Sequence, residues 1–319
     1  MDGAALARAA LTRKPHAVAR LISCMEDTRV SRAPARDEAI ATLEAEAAAR
    51  DHRSTVVGIT GTPGSGKSSL VSATTREMLR QDADATIAVV AIDPSSQVTK
   101  GALLGDRMRM RTAVDETRLF FRSQASVTAL GGLAPPTYLV VRALATLYDY
   151  VIVETVGIGQ SEADIKHLAD TVYLVMAPGG GDEVQMIKAG IVEIPDAFVV
   201  NKADTPGASA TYHQLRGALW LARPLDSESV SVLLASARRG DGIADLAGTI
   251  LGLRAQGSAQ EGIAERAGHF FELWVRDEWG RQGVRALRAD PLLASSCDPV
   301  AGFGAAQQAF NDGMRSRLS

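Results

Sequence analysis

Residues 55–69 read Thr-Val-Val-Gly-Ile-Thr-Gly-Thr-Pro-Gly-Ser-Gly-Lys-Ser-Ser, and no other stretch restricts the fold as tightly. Val56, Val57 and Ile59 are apolar and β-branched, the composition of a short buried strand. Gly61, Gly66, Lys67 and Ser68 then stand at the spacing G-x-x-x-x-G-K-[ST] of a phosphate-binding loop. Glycines let successive backbone N–H groups turn inward on a polyphosphate, and the helix that follows starts with its positive end facing the same charge. The nucleotide contacts expected from the loop are Gly61, Thr62, Pro63, Gly64, Ser65, Gly66, Lys67, Ser68 and Ser69. Lys67 is expected to reach the β- and γ-phosphates, and the Ser68 hydroxyl to ligate Mg²⁺.

From Thr55 onward apolar strands alternate with helical stretches. The strand candidates are 55–60, 86–92, 118–122, 150–155, 171–177, 197–200 and 230–235. Several are continuous β-branched runs, as expected where both faces of a parallel sheet are covered. Right-handed crossovers bring the loops after these strands to the carboxyl edge, beside the phosphate loop. The expected fold class is α/β: a P-loop NTPase with a mostly parallel sheet.

Two flanks complete the chain. Residues 4–26 are alanine-rich, with Val18, Leu21, Ile22 and Met25 on one helical face, and residues 37–50 read as a second helix after Pro34. Arg8, Arg13, Lys14 and Arg20 resemble the basic run of an organelle presequence, but a folded helical arm is the reading adopted. After residue 252 the strands stop; Phe270, Phe271, Leu273, Trp274, Val275 and Trp279 crowd one helical stretch, expected to be buried in a homodimer. The expected division is 1–52, helical arm; 53–252, nucleotide domain; 253–319, helical extension and dimerisation element. A net charge of −3 offers no argument for nucleic acid or an anionic membrane as partner. Cys24 and Cys297 suggest neither a disulfide framework nor a thiolate metal cluster, and no apolar run approaches a membrane span; the cytoplasm is the expected compartment.

The acids and amides after the strands carry the chemistry. Asn201-Lys202-Ala203-Asp204 follows the apolar stretch 197–200 in the N-K-x-D pattern of guanine recognition. Guanine offers an aspartate two donors, N1–H and N2–H₂, that adenine lacks, and a site built on such bonds rejects the analogue that leaves them unpaired. Ser236 and Ala237, with Arg238 next, suit the further loop whose N–H groups meet the guanine O6. GTP or GDP is therefore the expected ligand. Asp93 closes the second strand and Glu154 the fourth; both are expected near the γ-phosphate and Mg²⁺, with Lys67, Glu154 and Asp93 as the catalytic set and Ser68, Asp93 and Glu154 around the metal. Gly157 is placed for a backbone N–H to sense the γ-phosphate, and Gln160 is a weaker candidate for orienting water.

On these residues the sequence resembles the MeaB-type GTPases, also called ArgK, chaperones of adenosylcobalamin-dependent acyl-CoA mutases. Ile92-Asp93-Pro94-Ser95-Ser96 with Leu104-Gly105-Asp106-Arg107 is similar to their switch I. Glu154-Thr155-Val156-Gly157-Ile158-Gly159-Gln160-Ser161-Glu162 matches switch II, and residues 178–193, from Pro178-Gly179-Gly180-Gly181-Asp182-Glu183 on, are similar to switch III. The resemblance implies a SIMIBI-class G domain, a homodimer through the carboxy-terminal extension, and slow GTP hydrolysis stimulated by the client mutase. It adds Asp106 to the metal set, and assigns Lys188, Asp182 and Glu183 to coupling with the client. The sequence departs from the family at Ala134-Pro135-Pro136-Thr137 and Thr99-Lys100-Gly101. The client thus ranges over methylmalonyl-CoA mutase and relatives acting on isobutyryl-CoA or 2-hydroxyisobutyryl-CoA. A nickel-delivery GTPase is the alternative, opposed by scattered histidines (His16, His52, His167, His213, His269); so is a P-loop kinase, for which no acceptor site is visible.

Overall fold

The computed structural model describes residues 2–93, 117–125, 133–155, 161–179, 195–222, 230–254 and 262–318. The chain divides into two compact units, one of Met1–Arg53, Ala134–Leu147 and Ala259–Ser319, the other of Ser54–Leu133 and Tyr148–Ser258.

The second unit holds a parallel sheet of seven strands: β1 (Thr55–Gly61), β2 (Ile87–Asp93), β3 (Leu119–Ala125), β4 (Tyr150–Glu154), β5 (Thr171–Met176), β6 (Ala197–Val200) and β7 (Ser231–Leu234). Their order is β3-β2-β4-β1-β5-β6-β7, and every pairing is parallel. All the strand candidates are thus present, at bounds shifted by no more than a residue except at the end of β3, which runs three residues further than expected. Alternate residues of each strand face opposite layers. On one face Val57, Ile59, Val89, Ile152 and Val175 pack with Leu70, Val71 and Met78 of the helix Lys67–Gln81, and with Leu246 and Ile250 of Ile243–Leu253. On the other, Leu174, Met176, Phe198 and Val200 pack with Leu215 and Leu219 of Ala208–Ala222. Burial on both faces is why these strands read as unbroken apolar runs rather than alternating ones.

The first unit is helical: α1 (Gly3–Ala10), α2 (Pro15–Met25), α3 (Ala33–Ala49), a helix Pro135–Ala145 here called α5, and three carboxy-terminal helices. The helix of the second unit opening at Lys67 is accordingly α4, and the helices Ser161–Leu168, Ala208–Ala222 and Ile243–Leu253 are α6, α7 and α8. The carboxy-terminal helices are α9 (Ile263–Ala289), α10 (Pro291–Ser296) and α11 (Phe303–Leu318). The single helix read over residues 4–26 is two. Arg13 takes φ +52°, and Pro15, lacking an N–H and fixed in φ, opens the second helix instead of continuing the first. Side chains of α3 cap two neighbours: Glu38 accepts from Gly3 N at 2.8 Å, and Asp37 accepts from Gly304 N and Ala305 N at 3.0 and 2.9 Å. Arg142 of α5, partly buried, donates to both Glu44 oxygens at 2.6 and 3.0 Å and to the Pro299 and Val300 carbonyls at 3.2 and 2.7 Å.

Within one chain the aromatic stripe of α9, expected to be buried in a homodimer, is covered in part, and Leu273, Trp274 and Trp279 stay half-buried. Phe270 stacks on Tyr138 with ring centres 5.2 Å apart, Phe271 meets Phe303 and Phe310, Trp274 meets Phe310, and Trp279 donates to Asn311 Oδ1 at 2.8 Å. The cover within the chain comes from α11, whose Phe303 and Phe310 are apolar partners for Phe271 and Trp274. Gly280, at φ +60° and ψ −154°, kinks α9 behind this cluster.

Candidate functional site

The site stands at the carboxyl edge of the sheet, where β1 gives way to α4. Gly61 takes φ +141°, and a Cβ there would lie 2.0 Å from the Val175 carbonyl oxygen of the adjacent β5. Only glycine lets the chain turn out of the sheet so close to a neighbouring backbone. Gly66 caps α4 at φ +85°, with the Asn201 amide 2.7 Å from where its Cβ would be. The first-turn N–H groups of α4 therefore open onto the loop with the helix dipole behind them, an arrangement that favours anions. Lys67 is buried, and its ammonium donates to the Gly61 and Thr62 carbonyls at 2.8 and 3.0 Å, holding the charge over the loop. Ser65 N closes a tight turn on Thr62 O at 3.2 Å, bridging Pro63 and Gly64.

In the first turn of α4, Ser68 Oγ donates to Glu154 Oε1 at 2.6 Å. The glutamate is 5% exposed, and β4, which carries it, lies directly beside β1 with Ile59 and Glu154 in register. A buried carboxylate and a hydroxyl facing each other beside a phosphate cradle are hard oxygen donors. They fit Mg²⁺, with Ser68 as ligand and Glu154 holding it or a metal-bound water. Asp93 closes β2 two residues beyond Ala91, the register partner of Glu154; its side chain lies outside the described residues. Asp106, Gly157, Gln160, Asp182, Glu183 and Lys188 lie outside the described residues.

The base-side residues converge on the same loop from β6 and β7. Asn201, 1% exposed, donates from Nδ2 to Ser65 O at 2.8 Å, and its Oδ1 accepts from Ala237 N at 3.2 Å. It ties the phosphate loop to the loop after β7. Lys202, at φ +56°, donates to Gly64 O at 2.6 Å, so its aliphatic stem lies along the loop. Asp204 accepts from Ser236 Oγ at 2.6 Å, and that hydroxyl in turn accepts from Arg239 N at 3.1 Å. The Ser236 hydrogen bond, helped by the Arg238 and Arg239 charges, holds the Asp204 carboxyl below the ordinary carboxylate range. Ala203 N donates to Ala235 O at 3.0 Å, locking the two loops together.

The phosphate loop, Glu154, Asn201, Lys202, Asp204, Ser236 and Ala237 thus gather at one sheet edge. Two features escaped the sequence reading. Ser236 was assigned through its backbone, yet its hydroxyl is what orients Asp204. Thr60 and Thr155, fully buried, pair hydroxyl to hydroxyl at 3.0 Å beneath the loop. The available signal was a threonine at the end of each of two neighbouring strand candidates, 55–60 and 150–155.

The geometry agrees with the likeness to known proteins. The family profile "Methylmalonyl Co-A mutase-associated GTPase MeaB" matches residues 18–278. A Pyrococcus abyssi protein, a GTPase by name, is 51% identical over 165 residues, 51% of this chain and 50% of its own length; the chain thus spans about half of that relative. Escherichia coli "GTPase ArgK" is 36% identical over 239 residues, covering 73% of this chain and 72% of its own. Among solved structures, one described as a LAO/AO transport system kinase superposes with a TM-score of 0.62 at 22% identity, covering 92% of this chain and 88% of that one, a likeness of fold alone. The chain belongs to the MeaB family.

Proposed function

We propose that this member of the MeaB family binds and hydrolyses GTP with Mg²⁺, and that its nucleotide state governs a partner enzyme, an adenosylcobalamin-dependent acyl-CoA mutase. The observation that carries the nucleotide half is the convergence of Asn201, Lys202 and Asp204 on residues 64–66 and 236–237. Asp204 is held by Ser236 as a carboxylate that accepts from guanine N1–H and N2–H₂, while the Ala237 segment faces the O6 side. Adenine would leave that carboxylate without donors.

Hydrolysis is in-line attack of water on the γ-phosphate. Lys67, the N–H groups of the loop and the start of α4 stabilise the charge that develops on the phosphoryl oxygens. Ser68 and Glu154 would hold the metal, which would supply positive charge against the phosphate oxygens. The sequence offers no obvious arginine finger or pre-positioned glutamine for the attacking water, so slow intrinsic turnover is expected, with room for stimulation by the partner. The client, gating of its cofactor loading, its protection or rescue and a homodimer are proposed on the family resemblance, and a cytoplasmic location on the two isolated cysteines.

The test is steady-state phosphate release from GTP and ATP, alone and with purified methylmalonyl-CoA mutase or its isobutyryl- and 2-hydroxyisobutyryl-CoA relatives. A strong GTP preference with saturable acceleration by one mutase is expected. Equal use of ATP overturns the guanine reading, no response to any mutase overturns the partner, and γ-phosphate transfer to an acceptor in place of release would establish a kinase.

A further inference from the structure

We propose that Thr60 and Thr155 are positioning residues for the metal and phosphate site, acting through the pleat of β1 and β4 without touching the nucleotide. The proposal rests on the GTP and Mg²⁺ reading above.

Thr60 immediately precedes Gly61, where the phosphate loop begins, and Thr155 immediately follows Glu154. Both are fully buried, 0% exposed. Thr155 Oγ1 donates to Thr60 Oγ1 at 3.0 Å, and Thr155 N donates to Ile59 O at 3.0 Å, extending the β1–β4 ladder one step past the strand end. Ile59 and Glu154 are register partners, so their side chains share the face on which α4 packs and on which Ser68 waits 2.6 Å from the carboxylate. One residue later the pleat turns both threonines to the opposite face.

That alternation gives the pair its leverage. A slip of one residue at the end of β4 would carry Glu154 to the wrong face, away from Ser68. The backbone ladder alone resists slippage weakly at a strand end. A hydroxyl pair buried in an apolar layer resists it strongly, because any other register strands two polar groups without partners. Packing by itself does not call for threonine here: valine has the same shape, suits a strand equally and carries no desolvation cost. On its other side β1 is pinned by the contact of Gly61 with Val175, so the segment 59–61 is held from both neighbouring strands. The pair therefore sets the geometry in which the Ser68 hydroxyl and the Glu154 carboxylate meet a metal.

The experiment measures affinity for a fluorescent GDP analogue while Mg²⁺ is titrated, and again in excess EDTA, with thermal midpoints recorded alongside. Thr155→Val should need about fivefold more Mg²⁺ for half-maximal tightening, the effect of one neutral hydrogen bond, with affinity in EDTA unchanged. Thr155→Ser, which keeps the hydroxyl, should behave as wild type. Thr60→Val should reproduce the shift and serves as the readout if Thr155→Val does not fold. Thr60→Val with Thr155→Val leaves no stranded hydroxyl, so it should regain thermal stability yet still require more Mg²⁺. A Thr155→Val protein that melts lower but has the wild-type Mg²⁺ requirement overturns the proposal alone. A wild-type protein that binds the analogue with no response to Mg²⁺ overturns the metal-site reading and the proposal with it.

Discussion

Replacing Asn201 with alanine should loosen both ends of the nucleotide site at once. The side chain, 1% exposed, makes a 2.8 Å bond to Ser65 O and accepts a 3.2 Å bond from Ala237 N; its 3.4 Å approach to Gly66 O is too long to count. Two net hydrogen bonds are worth about 1 kcal/mol each, and the partly buried Ala237 N–H left without its partner adds a fraction of the usual desolvation penalty, for about 2–3 kcal/mol in all. Spread over a domain of this size, that lowers the thermal midpoint by about 5–10 °C. Because the two bonds hold the phosphate loop to the base loop, about half of that loss, near 1.4 kcal/mol, should also appear as roughly tenfold weaker binding. The weakening should be equal for GTP and GDP, since neither bond reaches the γ-phosphate side. Asn201→Asp is a sharper control: it keeps the acceptor for Ala237 N but turns a carboxylate towards the Ser65 carbonyl, and should bind at least as poorly at neutral pH. Differential scanning fluorimetry and fluorescent-nucleotide titration read both quantities. An Asn201→Ala protein with wild-type midpoint and affinity would refute the idea that this residue couples the loops.

Other substitutions have separable signatures. Gly61→Ala places a Cβ 2.0 Å from a backbone oxygen that cannot move without breaking β5, so it should abolish nucleotide binding or folding; Gly64→Ala, in open space at φ +78°, should cost only about 1 kcal/mol of backbone strain. Their thermal midpoints and nucleotide affinities should differ accordingly. Asp204 must be ionised to accept from guanine, and Ser236 lowers its pKa, so affinity should hold as pH falls until the carboxyl protonates below its ordinary range. Ser236→Ala removes the donor, and the acid limb of a GDP-affinity profile should then move to higher pH; an unmoved limb would deny Ser236 its role. In the helical unit, Arg142→Met strands two carbonyls and the half-exposed Glu44, and should lower stability by about 2–4 kcal/mol in urea unfolding, with nucleotide specificity unchanged.

Much of this was legible in the sequence because it is locally encoded. A β-branched run ending in Gly61 and followed by Gly66-Lys67-Ser68 has few other conformations open to it, and the parallel sheet followed from strands with no polar alternation. The missed helix break was encoded as well: Pro15 lay inside a periodic pattern whose apolar face hid it. What covers the aromatic stripe of α9 was not legible for another reason. Periodicity shows that a face must be covered, but carries no information about whether a second copy or a helix 30 residues further on, α11, covers it. The membership of α5 in the helical unit is of the same kind, since neither Arg142 nor Tyr138 announces that its partners come from α3 and the carboxy-terminal helices.

The residue spacing by itself determined the chemistry on offer: a phosphate cradle, a lysine over it, an N-K-x-D run after a strand, and acids closing β2 and β4. Those are properties of adjacent residues, settled by backbone geometry over a few positions. Only the tertiary structure decided which of them act on one another. Asn201 reaches Ser65 across 136 residues, Glu154 reaches Ser68 across 86, and Ser236 reaches Asp204 across 32, each brought together by the parallel strand order. A hydrogen bond operates over about 3 Å whatever the separation along the chain, so the partners of a side chain are set by the register of the sheet and not by the motif that contains it.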